Sequence, residues 1–187
     1  MQNFKKSSWL GTLSASAQEF KRVSSLTGSA MLAALNVVIN QFTLVLVPKI
    51  LELGFTFIPV AVSAMLYGPL ITGGIGACVD IIKYFLRPDG PFFIGFTLNE
   101  FLSGFIFGLF LYKKEITVKR VFAAKLTINV VVNIGLTALW LHLMYGKAFW
   151  VYASARIIKN LIMLPIETGI LYVVLKKIAQ VRRKKSF

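Results

Sequence analysis

The apolar residues of this 187-residue chain gather into long, nearly uninterrupted runs near residues 26–47, 55–86, 96–112, 121–143 and 151–175, and that patterning limits the fold more than any motif. A helix of roughly 20 apolar residues crosses a hydrocarbon core of about 30 Å, and each run is close to that length or longer. Backbone amides left unpaired in lipid cost several kcal/mol each, so such runs must cross as helices. The 57% hydrophobic content, with only 15% charged residues, lies outside the range of soluble globular domains.

The run at 55–86 is too long for one span, because a continuous helix of that length would reach about 48 Å. Gly68-Pro69 is the natural break. The sequence therefore predicts a short helix over 55–67 and a second over 70–86, the first too short to face lipid along its length and so packed inside the bundle. The expected fold is an all-α integral membrane protein, six transmembrane helices in a compact bundle.

Charge placement orients that bundle, since cytoplasmic loops carry excess Lys and Arg. With six spans, Lys5, Lys6, Lys21 and Arg22, then Lys113, Lys114, Lys119 and Arg120, then Lys176, Lys177, Arg182, Arg183, Lys184 and Lys185 share one side, fourteen of the 21 basic residues. A five-span arrangement would export the basic tail VRRKKSF. Both termini are therefore predicted to be cytoplasmic, with residues 1–25 a basic leader, 26–178 the six-helix domain and 179–187 a basic tail. The leader lacks the apolar core of a cleaved signal. The net charge of +14 reads as this orientation signal, with contact to anionic lipid as its consequence and no nucleic-acid partner.

A second set of cations runs against that bias. Lys49, Lys83, Arg87, Lys147, Arg156 and Lys159 fall on or toward the outer side, with Lys125 near the cytoplasmic start of the fifth helix. An outward cationic cluster suits an anionic ligand. Beside it, the segment RPDGPFFIGFTLNE, Arg87 to Glu100, interrupts two spans with charge at Arg87 and Asp89, prolines, Gly90, Gly95 and the rings of Phe92, Phe93 and Phe96. Such a segment sits at the membrane surface or lines a cavity, as an ordinary turn or as a gate over a ligand.

Within the spans, polar and ionisable residues are costly enough to demand partners or water. Asn36 and Asn40 share a face of the first helix, with Gln41 following, and are expected to approach a cavity. Asn129, Asn133 and Thr137 share a face of the fifth, where interhelical hydrogen bonds are the simpler expectation. Asp80 is expected to pair along its own helix with Lys83 or Tyr84. Glu100 is expected to open the fourth helix, as a cap and dipole partner or as a carboxylate for a donor-rich heterocycle. Arg156, Asn160 and Glu167 follow one face of the sixth, which Pro165 can kink, and a guanidinium there is suited to a carboxylate. Small residues at i and i+4, Ala30 with Ala34, Gly73 with Ala77 and Gly104 with Gly108, allow close helix approach.

Several classes are excluded. No GxxxxGK[ST] run cradles a nucleotide, and no HExxH, GxSxG or Cys/His cluster supports metal or nucleophilic chemistry, so no cofactor, metal or catalytic residue is expected. The single Cys78 forms no internal disulfide.

The blocks FIPVAVSAMLYGP (57–69), GGIGACVDIIKY (73–84), GPFFIGFTL (90–98), MYGKAFW (144–150) and ARIIKNLIMLPIET (155–168), in that order, resemble the membrane-embedded substrate-binding subunits, or S components, of energy-coupling factor (ECF) vitamin transporters, and among them the folate-specific branch. That resemblance implies a non-enzymatic subunit in a bacterial plasma membrane, which binds a vitamin on its extracellular side and works with a membrane coupling subunit and two ATPases. It places Ala30 and Ala34, as an AxxxA pair, against the coupling subunit. It implies that Arg156, Lys159 or Arg87 hold the carboxylates of folate, that Phe92, Phe93 and Phe96 stack on its pterin with Gly95 in the same wall, and that Thr97, Asn160 and Glu100 address the pterin edge. Two alternatives remain at this point: an S component for another vitamin such as hydroxymethylpyrimidine or pyridoxine, and a small intramembrane enzyme using the dispersed Asp80, Glu100, His142 and Glu167.

Overall fold

Gly68 does break the long second run. In the computed structural model, which describes residues 9–42, 44–47, 51–88, 90–146 and 149–184, helix α3 (Phe57–Tyr67) stops at Gly68, whose φ of +88° favours glycine. Helix α4 (Pro69–Leu86) then begins with proline at its first position, where the missing N–H is no loss.

Around this break the chain runs through α1 (Trp9–Glu19), α2 (Val23–Gln41), a short hairpin of β1 (Leu44–Val47) and β2 (Leu51–Leu53), then α3, α4, α5 (Ile94–Leu111), α6 (Val118–Ile128), a π-helical stretch (Asn129–Leu136), α7 (Thr137–Tyr145) and α8 (Phe149–Lys184). Five helical stretches among the described residues are long and apolar enough to cross a membrane: Val23–Gln41, Pro69–Leu86, Ile94–Leu111, the continuous Val118–Tyr145, and Arg156–Arg182 within α8. The shorter α3 is apolar and largely buried, with Ala61 and Ala64 fully enclosed.

The first apolar run differs from its expectation. Its helix ends at Gln41, and Leu44–Val47 pairs antiparallel with Leu51–Leu53, with an irregularity between Val45 and Val47. The residue before Pro48 is pushed toward extended backbone, and the Leu/Val alternation suits a strand, so hydrophobicity alone overextended the helix. The leader contains a helix of its own. Helix α1 buries a polar face of Thr12, Ser16 and Glu19. The Ser16 hydroxyl donates to the Tyr67 carbonyl at 3.2 Å and accepts from the Leu70 amide at 3.1 Å, so it serves two backbone groups freed at the α3–α4 break.

The chain alternates between two ends. One, the basic end, holds α1, the Gly68 break and the α5–α6 turn with Lys113, Lys114 and Arg120; the other, the hairpin end, holds the β-hairpin, Arg87, residues 90–93 and the end of α7 at Tyr145. Between them α4 and α5 pack most intimately, through glycines. A Cβ on Gly108 would lie 2.3 Å from Pro69 Cα, one on Gly104 2.7 Å from the Thr72 carbonyl, and one on Gly76 2.8 Å from the Glu100 carbonyl. Backbones this close need residues with no side chain, the usual means of packing helices in lipid. Gly104 and Gly108 are thus internal packing. Ala30 and Ala34 are not: both are exposed on α2.

Candidate functional site

A cavity of about 290 Å³ sits among α3 to α8 toward the hairpin end, near the lower size limit of small-molecule sites. Its wall at the hairpin end includes Arg87, Pro91, Phe92 and Phe93. Proline and glycine end α4 there, α5 restarts at Ile94, and Phe92 and Phe93 fall in the intervening extended stretch. Phe92 packs edge-on to Tyr84 at 5.1 Å, while Phe93 lies 5.5 Å from Trp140 and 6.1 Å from Phe96. Gly95 is off the cavity and explains this packing: a Cβ there would lie 2.4 Å from Phe93 and 2.7 Å from Trp140. Arg87 Nη1 makes a long 3.5 Å contact with the Gln41 carbonyl, tying the segment to the end of α2. Asp89, Lys49 and Lys147 lie outside the described residues.

Five cations line the cavity: Lys83 and Arg87 from α4, Lys125 from α6, Arg156 and Lys159 from α8. Three carboxylates accompany them, Asp80, Glu100 and Glu167. Asp80 and Glu167 each have a defined protein partner. Asp80 accepts a 2.7 Å hydrogen bond from the Thr97 hydroxyl across the α4–α5 pair, in place of the bond expected along its own helix. Thr97 is thereby buried off the cavity, and Asn160 is also buried away from it. Glu167 forms a 2.8 Å ion pair with Lys125, their side chains only 12% and 7% exposed. Lys125 also sits 4.8 Å from the Phe57 ring centre.

The other polar residues divide between wall and scaffold. Helix α5 begins six residues before Glu100, so this carboxylate does not cap the helix but points from its second turn toward the cavity. Its neighbour Asn99 also lines the cavity and bonds protein on both sides of its amide, donating to Thr137 Oγ1 at 2.9 Å and accepting from Trp140 Nε1 at 3.1 Å. Thr137 and Asn133 do line the cavity, more than the interhelical bonding expected of that stripe. They sit in or just after the π-helical stretch, a rare geometry that is frequent at functional sites. Arg156 Nη1 donates to the Asn133 carbonyl at 3.4 Å, which joins α8 to that stretch. On α2, Asn40 reaches the cavity while Asn36 donates to the Thr56 carbonyl at 3.3 Å.

Of the residues singled out from sequence, Arg87, Phe92, Phe93, Phe96, Glu100, Arg156 and Lys159 converge on one cavity, while Gly95, Thr97 and Asn160 stand behind its wall. Lys125 paired with Glu167 was not foreseen. Their separation of 42 residues hides the pairing, although each is an ionisable residue inside an apolar run, which is itself a signal.

Comparison with known proteins bears on what this cavity serves. Residues 24–175 match the family described as ECF transporter, substrate-specific component. The folate transporter FolT of Clostridium novyi is 39% identical over 152 residues, 81% of this chain and 88% of that protein. FolT of Leuconostoc mesenteroides is 37% identical, over 78% of this chain and 81% of the relative. A solved crystal structure of FolT bound with folic acid superposes with a TM-score of 0.77 at 39% identity, over 83% of this chain and 95% of the other. A family match across most of the chain, joined to relatives matched over most of their length and a shared helical architecture, leaves one conclusion: the chain belongs to the substrate-specific components of ECF transporters, a family of transport proteins and not of enzymes.

Proposed function

We propose that this chain is the folate-binding subunit of an ECF importer in a bacterial plasma membrane, capturing folate outside the cell and passing it inward with a membrane coupling subunit and two ATPases. The observation that carries the reading is the charge of the cavity: five cations against three carboxylates. That surplus suits a ligand with two carboxylates, and charged hydrogen bonds are roughly twice as strong as neutral ones. A neutral vitamin would leave it uncompensated. Phe92, Phe93 and Phe96 supply aromatic faces for a flat ring, and Arg87, Arg156 and Lys159 supply the anionic grip. Glu100 offers an acceptor to the ring, with Gly95, Thr97 and Asn160 holding the wall in shape.

The same reading orients the bundle: α3 counts as a sixth, short span, the hairpin end faces outward, and both termini lie in the cytoplasm. Ala30 and Ala34, exposed on α2, form the docking face for the coupling subunit. Trp140 touches the cavity wall through Phe93, so it reports on occupancy. Purified protein in detergent should lose tryptophan fluorescence on adding submicromolar folate, and Trp140→Phe should remove most of the signal. A response to another vitamin but none to folate would overturn the ligand assignment. Ala34→Leu should abolish cellular uptake while leaving folate binding by the isolated subunit unchanged.

A further inference from the structure

A π-helix sends each amide five residues back where an α-helix sends it four, so the carbonyl partners shift by one along the chain. At the end of the π-helical stretch the Thr137 amide bonds the Val132 carbonyl. In an α-helix it would take the Asn133 carbonyl instead. That carbonyl accepts from Arg156 Nη1 at 3.4 Å, across from α8. The shifted register of one helix therefore supplies the acceptor that orients a guanidinium on another.

Such a register needs support, because π-helical geometry is rare and usually lasts a single turn. A chain of side-chain hydrogen bonds from α5 provides it. Trp140 Nε1 donates to Asn99 Oδ1 at 3.1 Å, Asn99 Nδ2 donates to Thr137 Oγ1 at 2.9 Å, and Thr137 Oγ1 donates to the Val132 carbonyl at 2.9 Å. The last bond is unusual. A threonine hydroxyl inside an α-helix returns to the carbonyl three or four residues back, as Thr127 does to Ala123 at 2.8 Å, whereas Thr137 reaches five back. The Val132 carbonyl thus holds both the amide and the hydroxyl of one residue. Asn99, Thr137 and Val132 are all buried, and a satisfied buried network of this kind specifies one arrangement.

We infer that Thr137 is the positioning residue for Arg156, held by Asn99 in the register that leaves the Asn133 carbonyl to the guanidinium. This rests on the folate reading, in which Arg156 grips a carboxylate of the ligand. The π-helical stretch is then part of the binding apparatus, and α5 acts on the anionic grip of α8 without touching it.

The test is a double-mutant cycle on folate binding by the full-length protein in detergent, measured by equilibrium dialysis because Trp140 belongs to the chain of bonds. Thr137→Val keeps the shape of the side chain and removes the hydroxyl. It should weaken folate about twofold to tenfold, the range for one lost hydrogen bond. In an Arg156→Ala background the same substitution should change affinity by a factor near one, the mark of two residues acting as a unit. Thr137→Ser, which keeps the hydroxyl, should recover most of the loss. Losses that multiply independently would mean that Thr137 meets the ligand itself or only stabilises the bundle, and the inference falls. It falls too if Thr137→Val leaves folate affinity as it was. Where Thr137→Val yields no folded protein, Asn99→Ala removes the donor one bond further from Val132, and the same cycle decides. Pteroate separates the inference from the reading beneath it. Coupling in the cycle with equal losses for folate and pteroate would take Arg156 off the tail yet uphold its positioning by Thr137. Wild type that binds neither compound would defeat the folate reading and the inference with it.

Discussion

The two ends of the bundle handle buried polarity in opposite ways. At the basic end the buried polar groups bond one another: Ser16 bridges the α3–α4 break, and Glu19 accepts from Ser25 at 2.6 Å and from Tyr112 at 3.0 Å, with Arg22 at 3.7 Å. At the hairpin end polar groups of both signs surround open space. Satisfied networks fix one arrangement of a core, whereas groups directed at a cavity leave interaction capacity for something else. On the proposed function, stability is concentrated at one end and binding at the other, and substitutions should separate the two.

The largest effect should come from Gly108→Leu. The first carbon of the new side chain already falls 2.3 Å from Pro69 Cα, a backbone atom that cannot yield without moving the whole α3–α4 break. Overpacking a tight core costs about 1 to 3 kcal/mol or more, and backbone contact lies at the upper end. Little monodisperse protein should survive size-exclusion chromatography. A well-folded variant with normal folate binding would mean that the basic end is looser than its packing implies.

At the opposite end Arg156→Ala should leave folding intact and reduce folate affinity by about 2 kcal/mol, roughly thirtyfold. Pteroate, which lacks the glutamate, should lose much less. Fluorescence titration of both compounds checks this, and equal losses would detach Arg156 from the tail.

How far this division was legible in the sequence depends on the range of the interactions. Gly68-Pro69 announced the α3–α4 break because its signal is local, and the small-residue pairs announced close packing for the same reason. The strand after Gln41 was missed because leucine and valine serve helix and strand alike, and only Pro48 hinted at the change. In the site, Arg156, Lys159, Arg87 and the phenylalanines stood out as charge or aromatics in unusual places. What sequence could not supply was long-range pairing. It expected Asp80 to bond along its own helix, when Thr97 reaches it from the next, and it gave no indication that Lys125 would find Glu167.

The smallest predicted effect concerns pH and Glu19 at the basic end. Burial alone would raise this carboxyl, but the hydrogen bonds from Ser25 and Tyr112 and the charges of Arg22 and Lys113 outweigh it, holding Glu19 below its ordinary 4.5. Burial, reinforced by Glu19, pushes the Tyr112 phenol well above its usual range in turn. A carboxyl depressed in the folded state contributes stability above its unfolded pKa and loses it as pH falls through the folded value. Wild-type melting temperature should therefore decline below about pH 4.5 more steeply than that of Glu19→Gln. At pH 7 the variant should melt lower by about 2 to 4 °C for each kcal/mol lost, since the glutamine keeps only one acceptor oxygen for the Ser25 and Tyr112 hydroxyls and carries no charge. Folate affinity at pH 7 should stay unchanged, because Glu19 serves the end of the bundle away from the cavity. A parallel loss of affinity would show that the two ends are coupled, and that the basic-end network sets the geometry of the site.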